Sequence, residues 1–218
     1  MNLIVNPETT DFHCSLVFAE PQIELAGEER RFPLIRQVMK RFLIRLNDIR
    51  FNVNSPSNDY LHFSRFYGQA YLDVSFGLEE IEVWFRRIES ENQLLEVLSD
   101  FFEVIKGISV SIQRMALHQH FSSEGDVQGF LNSIIPNHPE AFGGYLTKKG
   151  VFYTLRAEEH NSTIHIMAAE SFFVQGGLYL SIESEFAPNN YESQDALKIA
   201  REHNSFVLSG LGIQTKET

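Results

Sequence analysis

The chain has 218 residues, 43% hydrophobic and 22% charged, with a single cysteine and a net charge of −11. That is enough chain for one large domain or two small fused ones, and one cysteine excludes an intrachain disulfide framework or a CxxC zinc site. The acidic balance argues against a nucleic-acid coat protein, because backbone phosphates repel such a surface.

In chain order, DFHCSLVFAE (11–20) alternates Phe12, Cys14, Leu16 and Phe18 with His13, Ser15 and Val17, which predicts a strand. FPLIRQVMKRFLIRL (32–46) predicts a helix with Pro33 in its first turn. Ile35, Val38, Met39, Phe42 and Leu46 fall on one face and the basic residues on the other. IRFNVN (49–54) reads as a short strand and SPSND as a turn. YLHFSRFY and AYLDVSF flank Gly68-Gln69 as a tight hairpin, and IEVWFRRI (81–88) completes the group. SENQLLEVLSDFFEVIKG sets Ser90 and Gln93 at capping-box spacing, aligns Leu94, Val97, Leu98, Phe101 and Ile105, and stops at Gly107.

After Gly107 the order restarts. ISVSIQRMALHQHF (108–121) predicts a long strand, EGDVQGFLNSI (124–134) a short helix and IPNHPEAFGG a loop. VFYTLRA and STIHIMAA form a hairpin over Glu158 to Asn161; GGLYLSIESEF (176–186) is a strand and ESQDALKIAREHNSFVLSGL (192–211) a final helix. The expectation is an α+β fold of two fused strand-helix-antiparallel sheet-helix halves, 1–107 and 108–218, able to pair into one continuous sheet. The repeat is one of pattern, since the halves share no residues in common register.

No window approaches the roughly 18 uninterrupted apolar residues of a membrane span. MNLIVNPETTDF lacks the basic and apolar regions of a secretory signal. A reducing cytoplasm is the expected compartment, and NST at 161–163 is expected to be a turn and not a glycosylation site.

Charge is unevenly distributed. Residues 30–50 hold Arg30, Arg31, Arg36, Lys40, Arg41, Arg45 and Arg50 against Asp48, so the segment is +6 and the remainder −17. Arg36 with Lys40, and Arg41 with Arg45, are four apart and form two basic ridges on the helix. These four are the candidate partner-binding residues. A solvated helix face, paired with the acidic remainder of the molecule or with a symmetry mate, is favoured because no aromatic residues interleave for base stacking; the alternative is an anionic partner, whether nucleic acid, a phosphorylated ligand or an acidic protein. Arg86-Arg87 and Lys148-Lys149 are candidate extensions.

His118 and His120 stand two apart, on one face of a strand, where both imidazoles could reach one metal ion. A third ligand has no fixed spacing to them; His13, His62, Asp73 and His165 are scattered. The apolar face of this strand shifts from Ile108, Val110 and Ile112 to Met115, Leu117 and Phe121, which places the pair on the less buried face at a strand end. Surface or hydrogen-bonded histidines are the expected reading, and no cofactor is expected. Cys14 reads as a buried hydrophobe, and Glu158-Glu159-His160 as a solvated hairpin tip. No GxSxG, GxxxxGK or strand-borne GxGxxG is present. Phe12, Phe18, Phe63, Phe66, Phe76, Phe85, Phe101, Phe102, Phe121, Phe152 and Phe186 are expected to fill a helix-on-sheet core. Lining an apolar ligand cavity is the alternative.

The strand SVSIQRMALHQHF, with Arg114 before its apolar run, and the terminal helix ALKIAREHNSFVLSGLGI, with His203 and Phe206, resemble a sporadically distributed family of uncharacterised microbial proteins of similar length. His118 and His120 stand where that family would carry Arg or Asn. The resemblance implies no catalytic residues. It implies a cytoplasmic accessory protein linked to host defence or mobile elements. The expected function is therefore a non-enzymatic interaction protein, with a protein partner and a homodimer. The alternatives are a small-ligand binder with a sheet-helix cavity and, third, a metal-dependent hydrolase acting through His118 and His120.

Overall fold

The computed structural model describes residues 2–22, 28–51, 61–134, 150–187 and 193–216. The alternating runs and amphipathic stripes become ten strands and four α-helices among them. In order these are β1 (Leu3–Phe18), α1 (Glu28–Phe42), β2 (Ile49–Phe51), β3 (Leu61–Tyr67), β4 (Ala70–Phe76), β5 (Glu80–Arg86) and α2 (Glu91–Val104). Then come β6 (Val110–Ser123), α3 (Val127–Ile134), β7 (Gly150–Ala157), β8 (Ser162–Glu170), β9 (Leu178–Phe186), α4 (Ser193–Leu211) and β10 (Ile213–Thr215). The strands pair in the order β2-β3-β4-β5-β1-β6-β9-β8-β7, with β10 beside β1. β10 is parallel to β1 and was not expected from the sequence. The fold is α+β with an open, otherwise antiparallel sheet.

Contacts divide the chain into two units. The N-terminal unit comprises Asp11–Met115 and Ala187–Ala196; the C-terminal unit comprises Met1–Thr10, Ala116–Phe186 and Leu197–Thr218. The division is discontinuous, unlike the single cut after Gly107 read from element order.

In the N-terminal unit, strand alternation buries Phe12, Cys14, Leu16, Phe63, Leu72, Val74, Phe76, Ile81, Val83 and Phe85 on one sheet face. α2 buries Leu94, Val97, Leu98, Phe101 and Val104. Ser90 caps it by accepting the Gln93 amide at 3.2 Å, and Gly107 lies beyond its end at φ +95°. Gly68, at φ +63°, forms the two-residue turn between Tyr67 and Ala70. α1 begins earlier than its periodicity suggests, so Pro33 lies inside the helix and not in its first turn. α1 also ends earlier: Leu43 adopts φ +51°, and Leu46 is 51% exposed instead of completing the apolar stripe. Phe42, at the end of α1, meets Phe63 with ring centres 5.1 Å apart.

In the C-terminal unit, Leu3, Val5, Phe121, Val127, Phe130, Leu131, Ile164, Ile166, Leu178, Leu180, Val207 and Ile213 form one apolar cluster. The long strands β1 and β6 belong partly to each unit, and their buried parity changes on the way. β1 buries odd residues (Leu3, Val5) and then even ones (Phe12 to Phe18); β6 buries Ile112 and then Met115 and Phe121. The expected shift along β6 is therefore present, between Ile112 and Met115. The SPSND turn, the IPNHPEAFGG loop and Lys148-Lys149 lie outside the described residues.

Candidate functional site

His118 and His120 project from the interior of β6, not from its end, on the face opposite Phe121. His120 is buried, not surface-exposed, because the β8–β9 connection folds over it. That connection is a tight turn from Ser171 to Gly177, closed by the Ser171 amide donating to the Gly177 carbonyl at 2.8 Å. Ser171 Oγ accepts the amides of Phe173 and Val174 at 3.1 and 2.9 Å and lies 2.8 Å from His120 Nδ1. Gly177 is required at the base: a Cβ there would stand 2.3 Å from the Phe121 carbonyl oxygen. His118 Nδ1 lies 3.0 Å from Tyr179 Oη.

The consequence is a fixed aromatic tip. Phe172 and Phe173 are 68% and 79% exposed, although each is the kind of side chain that folding removes from water. Phe173 rests edge-on against the His120 ring at 4.7 Å, and Tyr179 lies at 4.8 Å from the same ring. His118 and His120 thus support a turn through hydrogen bonds and ring contacts. Among the described residues no three His, Cys, Asp or Glu side chains are grouped to hold a metal. His13, His62 and His165 each face their own carboxylate: His13 pairs with Glu82, His62 with Asp73 at 2.6 Å, and His165 with Glu185 at 3.0 Å.

The basic ridges of α1 have different fates. Arg41 Nε lies 2.7 Å from Asp100 of α2 and is held within the unit. Arg36, Lys40 and Arg45 are exposed. Arg86 covers the Trp84 ring at 5.3 Å, and His13 stacks on that ring at 4.1 Å. Cys14 is fully buried, and burial, with the Glu82 charge second, pushes its thiol far above the usual range. Tyr67 is pushed up to about 12, first by burial and also by the Asp100 charge.

Glu158 to His160 form the β7–β8 connection, but His160 is not simply solvated. It lies 3.5 Å from Glu202 and faces His203 with ring centres 5.8 Å apart. His203 is buried on α4 and bonded to Ser184 at 2.9 Å. Burial, and then the neighbouring His160, lower its pKa. Of the phenylalanines expected in the core, Phe66 and Phe152 are instead 71% and 64% exposed, because both point to the sheet face opposite the core. Phe42 and Phe130 fill it in their place. No helix among the described residues is long and apolar enough to cross a membrane.

No protein-family model matches the chain, and no curated protein matches it.

Proposed function

We propose that the chain is a non-enzymatic interaction protein that docks a protein partner through the Phe172–Phe173 tip. The observation that supports this reading is the turn beneath them. Ser171, His120 and Gly177 hold the backbone in one shape, so two phenylalanines are presented to water without a loop-ordering cost on binding. Preorganised aromatic anchors of this kind carry a large share of interface energy. The complementary surface is an apolar pocket on the partner. The exposed Arg36, Lys40 and Arg45 offer a second contact for an acidic protein surface. A homodimer and an accessory role linked to defence or mobile elements belong to the same reading.

The test places a photo-reactive residue at Phe172 in the native host and compares crosslinked partners with those of Phe173→Ser in the same background. The expected result is one dominant crosslinked protein that is lost in the variant while circular dichroism and melting are unchanged. Capture of the same protein at equal yield by the variant overturns the proposal.

A further inference from the structure

Among the described residues strand β7 is an edge of the sheet, and it carries few of the devices that usually protect an edge. Gly150 to Ala157, GVFYTLRA, has no proline, no lysine and a single charge, Arg156. Apolar side chains are left in water on both of its faces: Phe152 is 64% exposed on one and Leu155 37% on the other. Met167, the register partner of Phe152 on β8, is 41% exposed and continues the first patch. The opposite edge, β2, is only three residues long, against eight for β7.

We infer that β7 pairs antiparallel with β7 of a second copy about a two-fold axis at Thr154. Two-fold symmetry and strand alternation restrict the register to those in which some residue faces its own copy. Centring it on Thr154 sets Thr154 against Thr154 and Tyr153 against Leu155. The same register sets Phe152 against Arg156, and Val151 against Ala157. Every one of these is a favourable cross-strand pair: hydroxyl with hydroxyl, apolar with apolar, and guanidinium over an aromatic ring. Glu158 of one copy then faces Gly150 of the other, where no side chain obstructs it. Moving the axis to Leu155 sets Phe152 against Glu158 and loses the guanidinium–ring pair, so Thr154 is the centre that satisfies the whole strand. The occupant of this edge is therefore another copy of the chain, and it is independent of the Phe172–Phe173 tip.

The experiment uses the whole chain and a pair of charge variants at the self-facing position. Thr154→Lys and Thr154→Glu each place like charges directly opposite in a homodimer, whereas a mixture of the two places opposite charges there. Wild-type protein is expected to be dimeric by native mass spectrometry at micromolar concentration. Each variant alone is expected to dimerise roughly tenfold more weakly, and an equimolar mixture to recover the dimer as a heterodimer. Recovery on mixing also shows that both variants fold. A monomeric wild type overturns the inference. So do variants that dimerise as tightly as wild type, or a mixture that stays monomeric.

Discussion

Away from its core, the N-terminal unit sets His13 against Glu82 and Trp84, His62 against Asp73, and Arg86 over Trp84. The C-terminal unit leaves Phe152, Met167, Phe172 and Phe173 in water. Both units cover one sheet face with helices and fill the space with fully buried phenylalanines. They differ in how much is left in water away from the core: on the other sheet face the N-terminal unit exposes Phe66, whereas the C-terminal unit exposes Phe152 and Met167 there and adds Phe172 and Phe173 in its β8–β9 turn. Since apolar exposure opposes folding and is retained only singly or where something covers it, the C-terminal unit, with its larger exposed aromatic set, is where association is expected.

The largest effect tests the half of the comparison in which the units agree. Phe63→Ala in the N-terminal unit and Phe121→Ala in the C-terminal unit remove rings that are 0% exposed. Each is expected to cost about 3–5 kcal/mol, read as a lowered urea midpoint. A loss under about 1 kcal/mol at either position would contradict the packing, because a collapsed core rarely recovers that much.

A smaller effect tests the aromatic turn of the C-terminal unit. Ser171→Ala removes the acceptor for two backbone amides and the partner of buried His120. The expected cost is about 1–3 kcal/mol. Amide exchange at Phe173 and Val174 should accelerate while the amides of β3 to β5 are unchanged. Unchanged exchange at those two positions would show that the turn does not depend on Ser171.

The next effect depends on pH. His203 is buried against Ser184 and lies beside His160, with Glu202 the opposing charge. Its folded pKa is lowered from the ordinary 6.5, so the unfolded chain binds the proton more readily. Stability is therefore complete above that value and falls as pH drops through it. His203→Gln keeps a hydrogen-bonding group toward Ser184 and removes the titration. Its melting temperature should vary less with pH than that of wild type below about 6.5. Parallel curves for the two proteins would assign the acid sensitivity elsewhere.

Most of the fold was legible because periodicity is a local property. The α2 stripe, its Ser90 cap and the Gly68 hairpin are all set by residues a few positions apart. β10 was missed because three residues carry no period, and its pairing with Leu3 to Val5 joins the two ends of the sequence. The early end of α1 was missed because Leu43, a residue that favours the helix, takes a left-handed conformation. The aromatic tip was the least legible element. SFFVQGG carries no periodicity of its own, and its shape depends on Ser171 reaching His120, 51 positions away. The histidine pair itself was conspicuous in the sequence, but its role as a support depends on a partner that spacing cannot reveal.

The smallest effect concerns the basic helix and sharpens the contrast between held and open charge. Arg41 and Asp100 are 2.7 Å apart, with side chains 48% and 36% exposed. A double-mutant cycle on Arg41→Ala and Asp100→Ala should give a coupling of about 0.2–1 kcal/mol that shrinks at high salt. Arg36→Glu and Lys40→Glu, at exposed positions on the same helix, should change stability by less than about 0.5 kcal/mol. If they also leave the crosslinking pattern of the Phe172–Phe173 tip unchanged, α1 is a solvated face and binding rests on the aromatic tip. If they weaken it in a salt-dependent way while Arg41→Ala does not, the exposed cations steer an acidic partner, and the arginine bound to Asp100 is already committed to its own unit.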